Sequence, residues 1–281
     1  MPIVKSHDGT ELFCRRWGAT SSRGGPPVLF VHGWAMSSDA WQSAMLLTVR
    51  AGYQAVAYDR RGHGRSDDPG QGYDYDSLAD DLAAVIEEFE LKDVTLVGHS
   101  MGCGEIARYL SRYGDSRVAR VVMVAPFLPY PLKTADNPDG VADLAAMAAM
   151  REAWVGSFAG WLAQAAPPAF SAQASPELVA QTVRQMLQCS LQAAVECNIS
   201  GSQADMRAEL AAIATPTLVL HGDQDGSCPL DLTGRKVVAL MPNSRLKVYP
   251  GATHTLIIEQ ASEMAGDIVG FIGEAGLAKV A

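Results

Sequence analysis

The 281-residue sequence predicts an α/β fold, a mostly parallel, doubly wound sheet with an inserted helical cap, and three observations predict it. Short apolar runs of strand length alternate with amphipathic stretches of helical period, the pace of right-handed βαβ crossovers. Several of those runs end in loops rich in Gly, His and Asp, where this architecture gathers its ligand-binding groups. The strand signal then stops between Pro126 and about Ile213, and a gap of roughly 85 residues is too long for a bare loop in a compact domain.

In order, Ile3 to Ser6 and Glu11 to Trp17 read as two strands around the turn His7-Asp8-Gly9-Thr10. Beyond a linker from Ser21 to Pro27, Val28 to Val31 is a short apolar strand that ends in His32-Gly33-Trp34. Ser37-Ser38-Asp39 offers an N-cap for a helix over about Ala40 to Ala51. Gln54 to Tyr58 is the next buried strand, closed by the glycine-rich loop Asp59 to Ser66. Ser77 to Phe89 carries Leu78, Leu82, Val85, Ile86 and Phe89 at helical spacing. Val94 to Gly98 is a buried strand and Met101 to Tyr113 a helix, with Ser100 on the turn between them. Val118 to Val124, Thr217 to Leu220 and Leu246 to Tyr249 complete the strands, and a helix over about Ile258 to Gly273 closes the chain.

Residues 1–125 and 214–281 are thus expected to form the core domain, with residues 126–213 as a helical cap inserted after a strand. In the cap, Asp143 to Gln164 is apolar at helical spacing, and Ser175-Pro176-Glu177 pairs an N-cap with Pro at the first helical position. Trp154, Phe158, Trp161 and Phe170, with Phe127 and Trp34, are candidates to line a pocket between cap and sheet. Packing within the cap alone is the competing reading for each.

Composition narrows the functional classes. A net charge of −9, from 22 basic and 31 acidic residues, argues against a nucleic-acid partner, and no basic run suggests an anionic membrane surface. No apolar run approaches the ~20 residues of a membrane helix, and Met1 to Lys5 lack a signal region, so a cytoplasmic location is expected. The five cysteines, Cys14, Cys103, Cys189, Cys197 and Cys228, lack Cys-x-x-Cys spacing, so free thiols are expected and neither a zinc site nor a disulfide framework is indicated.

Chemistry concentrates at Gly98-His99-Ser100-Met101-Gly102. A serine on a tight strand-to-helix turn is held in a strained backbone conformation, and the flanking glycines remove β-carbons where strand and helix pass closest. The pentapeptide alone arises by chance about once in six chains of this composition, so its partners carry the argument. A serine hydroxyl needs a base, and the base needs a group that fixes its tautomer. His254, after the Leu246 to Tyr249 strand, is the candidate base. Asp223 and Asp225, after the Thr217 to Leu220 strand, are both candidates for the acid, and spacing does not separate them. The order Ser100, Asp225, His254 is that of an α/β-hydrolase triad. The Met101 amide at a helix N-terminus and the Trp34 amide after Val31 are the candidate oxyanion donors. The other histidines read as structural: His7 solvated in its turn, His63 tying its loop, His221 bonded at a strand end, and His99 pointing away from the nucleophile.

These residues resemble the bacterial cofactor-free, non-haem haloperoxidases and their aryl esterase relatives, members of the α/β-hydrolase superfamily. The resemblance rests on His32-Gly33-Trp34 with Trp41, Asp59 to Ser66, Gly98 to Tyr109, His221 to Asp225, and Gly251-Ala252-Thr253-His254. It implies an α/β-hydrolase fold, Ser100 as nucleophile, Asp225 as acid, His254 as base, the Trp34 and Met101 amides as oxyanion hole, and no metal or organic cofactor. It also implies that an acyl-serine can be resolved by peroxide to a peracid. The chain departs from the family pattern at Ala35, Cys103 and Thr255, the last two crowding the elbow helix and the base loop.

The resulting expectation is a serine hydrolase acting on a small ester or lactone. Haloperoxidation or perhydrolysis, acyl transfer and carbon–carbon bond hydrolysis by the same triad are the alternatives within enzymes, and a ligand sensor on a hydrolase scaffold is the alternative outside them.

Overall fold

The computed structural model describes residues 2–18 and 25–274, so residues 21–24 of the expected linker, and 275–281 of the expected core, lie outside the described residues. The strands are β1 (Ile3–Lys5), β2 (Glu11–Trp17), β3 (Gly25–Val31), β4 (Tyr53–Tyr58), β5 (Val94–His99), β6 (Val118–Val124), β7 (Thr217–Gly222) and β8 (Ser244–Tyr249). They form one sheet in the order β1-β2-β4-β3-β5-β6-β7-β8. The β1–β2 and β2–β4 pairs are antiparallel and every later pair is parallel. The central strands β4 and β5 are buried along nearly their whole length because both faces of the sheet are covered.

The helices are α1 (Gln42–Arg50), α2 (Tyr75–Glu88), α3 (Met101–Tyr113), α4 (Leu144–Ala165), α5 (Pro176–Met186), α6 (Leu191–Gln203), α7 (Arg207–Ala212), α8 (Gly234–Leu240), α9 (Leu256–Glu259) and α10 (Ala261–Gly273). One apolar core joins α2, α3 and the sheet through Leu78, Leu82, Ile86, Ile106 and Val121. The other joins α1, α9 and α10 to the opposite face through Met45, Phe30, Val97, Met264 and Phe271.

Several boundaries move for local reasons. Asp74 caps α2 by accepting from the Ser77 amide at 2.9 Å, so that helix starts before Ser77. The expected helix over Ala40 to Ala51 begins as a 3-10 turn, Ser38–Trp41. The expected Ile258 to Gly273 helix is two, broken at Gln260, whose φ of −119° and ψ of 28° are not helical. Between β6 and β7 lie α4 to α7. The first three stand over the C-terminal ends of the strands, while α7 packs on α3 and α8. Capping by Asp143 and Ser175 follows the sequence signals, but α4 is kinked at Ser157, where φ is −165° and ψ 94°.

Candidate active site

The β5–α3 turn places Ser100 at φ 52° and ψ −117°, a left-handed conformation that a non-glycine residue holds only where its surroundings impose it. Those surroundings are close backbone contacts. A Cβ on Gly102 would lie 2.6 Å from the Val31 carbonyl oxygen and 2.8 Å from that of His32, and one on Gly98 would lie 2.9 Å from the Gly102 carbonyl oxygen. Glycine at both positions lets the start of α3 press against the end of β3. The two candidate oxyanion donors, on Met101 and Trp34, flank that contact, and neither amide donates to an acceptor among the described residues.

A buried arginine braces the same junction from below. Arg60 Nε donates to Glu105 Oε2 on α3 at 2.9 Å, and its Nη2 donates to the His32 carbonyl at 2.7 Å. The Arg60 amide donates to His32 Nε2 at 2.9 Å, which leaves His32 Nδ1–H to donate to the Gly33 carbonyl at 2.8 Å. One guanidinium therefore ties the helix of Ser100 to the loop of Trp34. Both charges of the pair are fully buried.

Of the two acidic candidates, Asp225 is the one that lies against His254. His254 Nδ1 donates to Asp225 Oδ2 at 2.8 Å, while Asp223 is exposed and accepts from the Gly251 amide at 2.7 Å, pinning the loop ahead of the histidine. The other oxygen of Asp225 accepts from the amides of Ser227 and Cys228 at 2.9 and 2.7 Å. Burial opposes ionisation of Asp225, but the His254 ring and these donors hold its carboxyl well below the usual range. Burial likewise lowers the affinity of His254 for a proton, and the Asp225 carboxylate on its Nδ1 opposes this, the balance holding the imidazole well above its ordinary value.

Of the remaining histidines, His7 is exposed and His32, His63, His99 and His221 are buried. His63 Nδ1 donates to the Arg61 carbonyl at 2.9 Å, the loop tie expected of it. His221 Nε2 donates to the Cys228 carbonyl at 2.8 Å and lies 3.2 Å from Asp225 Oδ2, so its strand-end contacts extend to Asp225. His99 departs from expectation: its ring lies 4.8 Å from that of His254, and its Nε2 donates to the His254 carbonyl at 3.1 Å. Strand alternation sends His99 away from Ser100, but the base loop folds back under the sheet end to meet it. Burial lowers both His63 and His99 to about 3.

Ser100 and His254 open into a cavity of about 430 Å³ between the strand ends and α4 to α6. Trp34, Phe127, Trp154, Trp161 and Phe170 line it. Phe158 does not. The kink at Ser157 shifts the phase of α4, and Phe158 packs behind the lining, edge-on to Trp34 and Trp154 at centroid distances of 6.0 and 6.2 Å. The Trp34 ring lies 4.6 Å from that of Trp154, tilted by 32°, and its Nε1 donates to the Ala194 carbonyl at 2.7 Å, tying the loop after β3 to α6. Glu259 makes a second tie. It accepts from Ser171 of the cap and from Thr253 and Thr255 on either side of His254, and Thr255 also donates to the Ala169 carbonyl at 3.0 Å. The departure at Thr255 thus serves a cap contact, and the Cys103 thiol fits inside the elbow, against the Gly98 carbonyl at 3.3 Å.

Sequence reasoning missed Cys228 at this site. Its sulfur lies within 4.8 Å of a ring nitrogen of His254 and a carboxylate oxygen of Asp225. The available signal was its position three residues after the acid, on a loop that Asp225 folds back upon itself.

A family model described as alpha/beta hydrolase fold matches residues 26–261. The chain is 39% identical over 278 residues to a non-heme haloperoxidase of Rhodococcus erythropolis, covering 97% of this chain and 99% of that one. It is 34% identical over 277 residues to a bifunctional esterase/perhydrolase of Acinetobacter calcoaceticus, with the same coverage. Among solved structures, the bromoperoxidase from Bacillus anthracis superposes with a TM-score of 0.92 at 31% identity, covering 97% of this chain and 99% of that one.

Proposed function

This chain belongs to the alpha/beta hydrolase fold family, and from that premise we propose that it is a serine hydrolase cleaving a small, largely apolar ester or lactone through an acyl-serine intermediate. In this reading His254 takes the Ser100 proton, and the Trp34 and Met101 amides hold the tetrahedral oxyanion. Asp225 keeps Nδ1–H of the imidazole facing it, so that the other ring nitrogen faces the serine, and it stabilises the cation that forms. His254 then returns the proton to the leaving alcohol, and water resolves the acyl-enzyme by the same steps in reverse.

The observation that carries this reading is the 2.8 Å contact of His254 with Asp225, at the mouth of the apolar cavity that Ser100 also lines. The cavity suits an uncharged acyl or alcohol group, since aromatic, methionine and alanine side chains make up half of its lining, Leu162, Ile257 and Ile258 add to the apolar wall, and no Asp, Glu, Lys or Arg among the described residues lines it. Attack of hydrogen peroxide in place of water is the second reading, favoured by the names of the haloperoxidase and perhydrolase relatives.

The test is hydrolysis of short-chain p-nitrophenyl esters by the wild type and Ser100→Ala side by side, following burst and steady rate. The expected result is turnover in the wild type and its loss, by about 10⁶ in kcat, in a variant that remains folded. Near wild-type turnover by Ser100→Ala sinks the assignment.

A further inference from the structure

Two thiols, Cys197 and Cys228, line the same cavity, and the hydrolytic reaction uses neither. Their surroundings differ. Cys197 faces the cavity from α6, and the first influence on it is burial, which pushes its thiol up to about 12. Cys228 stands inside the triad. One donor atom each of Cys228, Asp225 and His254 lie within 4.8 Å of one another, and Ser100 lines the same cavity. The Cys228 amide is held by Asp225 Oδ1 at 2.7 Å and its carbonyl by His221 Nε2 at 2.8 Å, so backbone bonds on both sides aim the side chain. The thiol is 1% exposed overall and is reached only through the cavity.

We propose that Cys228 is a second reactive centre, which reduces peroxycarboxylic acids with an apolar acyl group. The inference rests on the proposed function only in that the cavity accepts an acyl group beside Ser100. A peroxy acid seated with its acyl part in the cavity carries its terminal peroxy oxygen next to the base, where this thiol stands. The sulfur attacks that oxygen, the O–O bond breaks, and the carboxylate leaves. His254 accepts the thiol proton and passes it to the carboxylate. The balance is RCO₃H + Cys228–SH → RCO₂H + Cys228–SOH, with sulfur oxidised by two electrons and the peroxy oxygen reduced. A small thiol entering by the cavity then restores Cys228, giving a disulfide of that thiol and water.

Burial raises the Cys228 thiol above its ordinary value, so the resting group is a neutral thiol. A neutral thiol reacts slowly with dilute hydrogen peroxide and depends on a base placed beside it. Cys197 shares the cavity without such a base, which makes it an internal control.

The experiment treats the full chain with stoichiometric peroxybenzoic acid, traps sulfenic acid with dimedone, and maps the adduct by peptide mass. The expected adduct is on Cys228, formed at least tenfold faster than on Cys197, and at least tenfold faster than with an equal concentration of hydrogen peroxide, because binding of the acyl group raises the local concentration of oxidant. Cys228→Val, which keeps the backbone bonds, is expected to give no adduct at position 228 and to lose whatever p-nitrophenyl ester turnover it has to peroxybenzoic acid at least tenfold more slowly than the wild type. Equal labelling of Cys197 and Cys228 overturns the proposal, as does unchanged inactivation of Cys228→Val. Ser100→Ala separates the two readings: labelling of Cys228 in that variant by preformed peroxy acid is expected, and its absence counts against the thiol chemistry even where ester hydrolysis follows the proposed function.

Discussion

Replacing Gly102 with alanine tests whether the two donor amides depend on the close pass of α3 under β3. Helix propensity favours alanine over glycine by about 1 kcal/mol, so on that ground the variant gains stability. Packing has the opposite sign. The new Cβ would lie 2.6 Å from the Val31 carbonyl oxygen and 2.8 Å from that of His32, where an unstrained carbon–oxygen contact is about 3.3 Å or more. Both obstacles are backbone, so no rotamer change relieves them. The end of β3 and the first turn of α3 must separate by roughly half an ångström. Met101 precedes Gly102 by one residue and Trp34 follows His32 by two, so that separation spreads the amides around the position an oxyanion would occupy.

Overpacking of this kind costs about 1–3 kcal/mol, which outweighs the propensity gain. Full loss of an oxyanion donor costs about 3 kcal/mol in the barrier, and partial misplacement is expected to lower kcat/KM by about 10- to 100-fold, chiefly in kcat. Gly266→Ala on the exposed face of α10, where a Cβ meets nothing within 4 Å, is the matched control. It is expected to gain about 0.5–1 kcal/mol with unchanged kinetics. The assay is the urea midpoint together with kcat and KM on a p-nitrophenyl ester, below the unfolding transition of each variant. Wild-type kcat in Gly102→Ala refutes the reasoning, as does a loss that tracks only the unfolded fraction.

Three further outcomes follow from the same geometry. His254 works as a base only when neutral, so kcat/KM should fall as pH drops through its raised pKa; Asp225→Asn should move that acid limb to lower pH and cut kcat by about 10⁴, and a limb that stays in place removes Asp225 from its role. Glu105→Gln leaves the Arg60 guanidinium buried without its anion and should lower stability by about 3–5 kcal/mol, read from the urea midpoint, whereas a loss under about 1 kcal/mol would mean that the neighbouring carbonyls suffice. His63 and His99 stay neutral in the folded chain down to about 3 but take up protons near 6.5 when unfolded, so stability should decline from pH 6.5 toward 3, and a flat urea midpoint over that window contradicts their burial.

The core was legible because its signals are local. Val94 to Val97 is apolar on both faces, Met101 to Tyr113 is bounded exactly by its serine and Gly114, and the strand-end position of Asp225 and His254 follows once the alternation of strand and helix is seen. The choice between Asp223 and Asp225 was not local. It depends on which carboxylate the β7–β8 register turns toward the base loop, and Asp223 instead accepts from Gly251. The position of His99 was missed for the same reason: alternation gives its direction from β5, but its contact with His254 belongs to a loop 155 residues away.

The cap resisted reading because an apolar helix carries no mark of which side meets which neighbour. α4 is rich in alanine, with Leu144 and Val155 exposed and Trp154 and Leu162 buried, so periodicity fails to single out one face. A single non-helical residue, Ser157, then decides that Trp161 reaches the cavity and Phe158 does not. The cap is nonetheless tied to the candidate site at two specific points, the Trp34 indole on the Ala194 carbonyl and the Glu259 carboxylate between Ser171 and the threonines beside His254. These ties join the helices between β6 and β7 to the loop of Trp34 and to the loop of His254. The apolar wall that selects an acyl group and the polar groups that would act on it are therefore held in register by hydrogen bonds whose donors and acceptors lie far apart in the chain. That coupling is a property of tertiary contact, and no window of sequence contains it.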